Sequence, residues 1–213
     1  MKVIFSFKMP LLAIVTLIVL TSCRSQPAAS ADAGERHYFK ETGHIVRGDF
    51  WRFFNTYGGV ESLGYPLTEE MIVDGWTVQY FEKGRLERHP ENEPAYTITV
   101  GWLGDLLQRR RPPIPIAAIP RADDPNRRYF PETGHTLSGD FLHYFEAHGG
   151  SVRFGLPISE PFLWEGRLTQ DFQSARFFWA PEAEPPVMLE DIGRVYLEGS
   201  GLAKIESIMP ITR

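Results

Sequence analysis

Apolar residues fall at helical spacing twice along this chain. Phe50, Phe53, Phe54 and Tyr57 follow an i, i+3, i+4, i+7 pattern, and so do Phe141, Tyr144, Phe145 and His148. Each run predicts a short amphipathic helix with a mostly buried aromatic stripe, stopped by Gly58-Gly59 or Gly149-Gly150. The period then changes. Thr77 to Phe81 and Arg85 to His89, joined around Glu82-Lys83-Gly84, predict a β-hairpin, and Leu168 to Phe172 with Arg176 to Ala180 predict another. A last short helix is predicted from about Gly101 to Arg109, and its copy from about Glu190 to Leu197. The fold class is α+β.

These elements recur because the sequence itself does. Shifted by 91 residues, positions 38–91 match positions 129–182 at 21 of 54 places without a gap. Glu41-Thr42-Gly43-His44 lies on Glu132-Thr133-Gly134-His135, and Gly48-Asp49-Phe50 on Gly139-Asp140-Phe141. After a two-residue slip, Leu103-Gly104 lies on Ile192-Gly193. Glycine and proline are prominent among the shared positions, as two copies of one backbone require. The expected organisation is two tandem units of about 90 residues, 37–110 and 128–213, each a short amphipathic helix, a β-hairpin and a second short helix. Between them, 111–127 contains prolines 112, 113, 115, 120 and 125. This segment reads either as a stiff connector or as a strip that packs the units together through Ile114, Ile116 and Ile119.

Before the first unit the chain has a different character. Lys2 and Lys8 precede an apolar run from Pro10 to Leu20, then Leu20-Thr21-Ser22-Cys23. That order is a secretory signal. A run of about a dozen residues is short of the roughly 20 that a spanning helix needs. The tetrapeptide resembles the lipobox of bacterial lipoproteins, which implies cleavage after residue 22, a lipid such as palmitate on Cys23, and an exported chain anchored to the extracytoplasmic side of a membrane. Cys23 is the only cysteine, so an internal disulfide framework is excluded. Residues 23–36, rich in Ser and Ala, read as a flexible tether.

Charge narrows the partners. The formal net charge is -5. Removing Lys2 and Lys8 with the leader would take it to -7 (-5 minus 2), which disfavours nucleic acid.

A second resemblance rests on TGHIVRGDFWRFFNTYGGVESLGYPLTEE followed by VQYFEKGRL. Leu63-Gly64-Tyr65-Pro66 and Gln79-Tyr80-Phe81-Glu82-Lys83-Gly84 are similar to the LGFP repeat of bacterial envelope proteins. The second unit departs from it, with Phe154-Gly155-Leu156-Pro157 at the first motif and Ala175 where the hairpin glycine would stand. The resemblance implies attachment to cell-wall material rather than catalysis.

Candidate chemistry agrees with that implication. Glu41/His44 and Glu132/His135 could offer metal ligands, but Thr-Gly between them makes a turn and no third ligand is near in sequence, so no metal or other cofactor is expected. The shared acids Asp49/Asp140 and Glu69/Glu160 invite a glycosidase reading. Asp49 and Asp140, however, fall in a first helical turn where a negative charge is favoured, and the other two beside turn residues. Nucleophile and phosphate-loop motifs are missing. Arg109-Arg110-Arg111 reads as a helix C-terminal cap, or as a contact for anionic lipid or polymer.

For a glycan binder, the residues of interest are exposed aromatics. Trp51 corresponds to Leu142 and is expected in the core, whereas Trp76 corresponds to Arg167, Tyr80 to Asp171, Trp102 to Asp191 and Trp179 to Arg88. A charged counterpart points to exposure, so Trp76, Tyr80, Trp102 and Trp179 are the candidate ligand-binding residues. Trp76, Val78 and Tyr80 also share one strand face, expected to be open. The expected function is a lipid-anchored, non-catalytic module contacting cell-wall polysaccharide. The alternatives are an envelope protein-interaction scaffold and a cell-wall hydrolase.

Overall fold

The computed structural model describes residues 35–202. The expected signal peptide, Cys23, and all but the last residues of the tether lie outside them. All described residues belong to one compact unit with a nine-element series that occurs twice. The series starts with a hairpin, β1 (Arg36–Phe39) and β2 (His44–Arg47). Its loop closes where the Gly43 N–H donates to the Phe39 carbonyl at 2.7 Å. Helix α1 (Gly48–Thr56) follows, then α2 (Gly59–Leu63). A meander of β3 (Met71–Val73), β4 (Trp76–Phe81), β5 (Gly84–Arg88) and β6 (Ile98–Val100) forms a four-stranded antiparallel sheet. Helix α3 (Leu103–Leu106) closes the series.

The second series has β7 (Arg127–Phe130), β8 (His135–Ser138), α4 (Gly139–Ala147) and α5 (Gly150–Phe154). Its sheet is β9 (Phe162–Trp164), β10 (Arg167–Asp171), β11 (Arg176–Trp179) and β12 (Val187–Leu189), and α6 (Ile192–Ser200) closes it. The two predicted hairpins are thus the central strand pairs of larger sheets. The Gly-Gly pairs do end α1 and α4, but Gly58, in the left-handed region at φ 90°, also turns the chain into α2.

Each sheet packs its inner face on its own helices. Phe50 and Phe54 of α1 meet Phe39, Leu63, Phe81, Leu86 and Val100, and Phe141 and Phe145 of α4 meet Phe154, Phe172 and Phe177. Trp51 is half-buried, stacked on His37 at 4.6 Å. A shared buried glutamine ties hairpin to sheet in both halves. The Gln79 amide donates to the Ile45 and Thr68 carbonyls at 2.9 and 2.8 Å, and Gln170 to Thr136 and Ser159 at 2.7 and 2.8 Å. Buried carbonyls need such partners.

The closing helices are exchanged between the halves. The Gly104 N–H of α3 donates to the Gln173 carbonyl of the second sheet at 2.8 Å, and the Gly193 N–H of α6 to the Glu82 carbonyl of the first at 2.9 Å. A third core joins Val78 and Tyr80 of β4 to Leu103, Ile192 and Leu197. At the same hairpin loop, fully buried Arg153 donates from Nε to Ser62 Oγ at 2.8 Å and from Nη2 to the Ser62 and Lys83 carbonyls at 2.6 and 3.0 Å. Ser62 is the position equivalent to Arg153, so the contact lies on the pseudo-twofold relating the halves.

The proline-rich segment also packs. Arg111 N–H donates to the Ile158 carbonyl at 2.9 Å and Ile114 N–H to the Gly134 carbonyl at 3.0 Å, while the Arg111 carbonyl sits 3.1 Å from His135 Nε2. Its start is laid along the second half; of the three isoleucines, Ile114 is half-buried, whereas Ile116 and Ile119 are 86% and 38% exposed.

Candidate functional site

Alternation along β5 sends Leu86 and Arg88 inward and Arg85 and Glu87 outward, with His89 just beyond the strand. The pairs Tyr80↔Arg85 and Val78↔Glu87 continue one step further to place Trp76 beside His89, the ring centres 4.2 Å apart and the planes tilted by 38°. Helix α6 covers this outer face at Val78 and Tyr80, and its Tyr196 ring lies 5.9 Å from the Arg85 guanidinium. The uncovered end is a groove of about 360 Å³, lined chiefly by Arg85, Glu87, His89, Asn92, Thr99 and Trp102.

Its polar side chains hold one another in place. Glu87 accepts from Arg85 Nε at 2.8 Å, and its second oxygen lies 3.0 Å from His89 Nε2, whose Nδ1 faces Glu91 at 3.0 Å. Burial alone would lower the His89 pKa, but the hydrogen bonds to Glu87 and Glu91 outweigh it and the net shift is upward. Gly101 makes room for this arrangement: a Cβ there would stand 2.7 Å from Arg85 Nε and closer still to Glu87. Above the groove, Trp102 is 56% exposed. An exposed indole beside a pre-arranged set of donors and acceptors suits a hydroxylated, ring-shaped ligand.

No protein-family model matches the chain, and no curated protein matches it significantly.

Of the four aromatics singled out by sequence, Trp102 lines this groove, Trp76 adjoins it through its contact with His89, and the other two lie elsewhere. Tyr80 is fully buried, so the open face expected for Trp76, Val78 and Tyr80 is in fact roofed over two of its three residues. The pairing with Asp171 misled because Asp171 is itself buried, neutralised by Arg176 at 2.6 Å and by Arg109 at 3.9 Å. Burial of charge is tolerated when it is paired. Tyr80 acts from beneath instead, accepting from Arg85 Nη1 at 3.0 Å. Trp179 is partly exposed but belongs to the second half, and its indole N–H donates to Asp140 at 2.9 Å. The equivalent contact in the first half joins Arg88 to Asp49 at 2.7 Å.

The shared acids are likewise engaged in the scaffold. Glu69 accepts from the Ile45 N–H at 3.0 Å and Glu160 from the Thr136 N–H at 2.7 Å, each beside the histidine of its hairpin turn. Among the described residues no three His, Cys, Asp or Glu side chains converge as metal ligands. The arginine run lies beyond α3, which ends at Leu106, and reaches back to it through the Arg109 N–H, which donates to the Gly104 carbonyl at 3.0 Å. Arg109 pairs with Glu190, Arg110 with Asp105, and Arg111 lies over Phe162. Arg85, Glu87 and His89 are functional candidates that the sequence pattern alone did not single out. Their i, i+2, i+4 spacing on the second hairpin strand puts them on the face of Trp76, and could have flagged them.

A larger cleft, about 680 Å³, lies between the halves and is lined in part by Tyr57, Glu61, Lys83, Tyr144, His148 and Asp191.

Proposed function

We propose that this chain is a non-catalytic, lipid-anchored module of the cell envelope that binds wall polysaccharide through the outer face of its first sheet. The observation that carries this reading is the groove at which exposed Trp102 and the Trp76–His89 ring pair flank pre-arranged polar side chains. Aromatic faces stack on the apolar faces of sugar rings while the polar groups meet hydroxyls. The LGFP-like motifs and the duplicated architecture support it.

Two experiments test the two parts. Full-length chain should sediment with purified insoluble cell wall, and changing Trp76 and Trp102 together to Ala should weaken this about 10- to 30-fold, as expected for two stacking interactions of about 1 kcal/mol each. The melting temperature should stay within a few degrees. Unchanged sedimentation would exclude the groove. For the anchor, Cys23→Ser should move the chain from the detergent phase to the aqueous phase on phase partitioning, and continued retention in detergent would argue against lipid on that residue.

A further inference from the structure

The outer face of the second sheet has the same backbone as that of the first but a different chemistry. Trp76 is replaced by Arg167, Glu87 by Phe178 and His89 by Ala180. The rows Phe162↔Thr169↔Phe178↔Met188 and Trp164↔Arg167 lie on this face; Thr169 and Phe178 are buried, and Trp164, Arg167 and Met188 are exposed. Arg111 lays its guanidinium 3.9 Å from the Phe162 ring centre, and Arg167 lies 4.3 Å from that of Phe178. Both arginines are exposed, and among the described residues neither has an ion-pair partner. The nearby acids Asp171 and Glu190 are taken up by Arg176 and Arg109. Trp164, 44% exposed, covers Arg176 at 5.0 Å beside them.

We propose that this face is a binding site for an acidic polysaccharide, whose carboxylate or phosphate oxygens are held by Arg111 and Arg167 and whose ring stacks on Trp164. A guanidinium stacked on an aromatic ring buries its face and leaves its N–H edges free, the geometry that takes an anion in bidentate fashion. Phe162 and Phe178 are two strands apart, so the two cations lie over rings roughly 10 Å from each other. That separation suits a chain with repeated charges better than a single small ion. The chain's net charge of -5 does not forbid it, because screening over about 8 Å at physiological salt makes the local pair decisive. The choice of a polysaccharide among polyanions rests on the function proposed above, but the residues are separate from those of the first groove.

The test is affinity electrophoresis of the full-length chain in native gels containing alginate, with dextran as the neutral control. Alginate should retard the wild type, dextran should not, and added salt should reduce the effect. Arg111→Ala/Arg167→Ala should weaken retardation at least tenfold with the melting temperature unchanged, and Arg111→Lys/Arg167→Lys should restore it in part. Trp76→Ala/Trp102→Ala should leave it intact, which separates failure of this site from failure of the first. Equal retardation of the double alanine variant, or equal retardation by dextran, would overturn the assignment. Preferential capture by micelles containing phosphatidylglycerol would overturn it in favour of a lipid surface.

Discussion

Adding one methyl group at Gly193 is expected to remove about 3 kcal/mol or more of stability, a fall of roughly 6 to 12 °C in melting temperature for a body of this size. Gly193 opens α6, where alanine would ordinarily stabilise a helix by up to about 1 kcal/mol over glycine. Here the sign reverses. A Cβ would stand 1.9 Å from the Phe81 carbonyl oxygen and 2.8 Å from that of Gly84, both main-chain atoms of the first sheet's hairpin. Neither can move without disturbing the strand pair, so the helix must lift and give up its hydrogen bond to Glu82. Gly199, in the same helix with nothing within 4 Å of its Cβ position, is the internal control and should tolerate alanine. A Gly193→Ala variant melting within 2 °C of wild type would refute the close docking of α6. Gly104, whose Cβ would stand 2.1 Å from the Phe172 carbonyl oxygen, makes the same contact in reverse.

Arg153→Ala should cost a comparable amount, about 3 to 5 kcal/mol, because it opens a cavity at a fully buried site and leaves Ser62 Oγ and the Ser62 and Lys83 carbonyls without their donor. Burial lowers the Arg153 pKa to about 10, yet at neutral pH the group remains charged and donates across the joint between the halves. Lysine should recover only part of the loss, since a single ammonium cannot reproduce the fork. The pH dependence follows from the direction of the shift. Because the folded state holds this proton less tightly than the unfolded chain, the penalty of burying the charge is complete below pH 10 and fades above it. The stability difference between wild type and Arg153→Met should therefore widen in favour of wild type above pH 10 when followed by denaturant unfolding. A constant difference, or an alanine variant as stable as wild type, would show that Arg153 does not hold the joint.

Both predictions concern the joint between the halves, which the sequence pattern does not reveal. The helical stripe of Phe50 and Phe54, the two central hairpins and the turns at Gly43 and Gly134 are legible because each depends on residues a few positions apart. The edge strands β3, β6, β9 and β12 escape notice because three residues hold too little alternation to register. Gln79 and Gln170 stand out as a shared pair but not as clamps, since their acceptors lie 11 and 34 positions away.

At the candidate site the division is similar. Trp76 and Trp102 are visible as aromatics with charged counterparts, and the structure places Trp102 in the groove and Trp76 next to it, against His89. Tyr80 satisfied the same criterion and is buried, because α6 returns from the other half to cover it and because Asp171, its counterpart, is neutralised by Arg176.

The duplication, the local elements and the α+β class can all be read from the chain alone, because they follow from spacing and from glycine and proline conformations repeated 91 residues apart. Which faces stay open is settled only in three dimensions. It depends on the exchange of α3 and α6 between halves and on the pairing of buried charges, both set by interactions between distant parts of the chain.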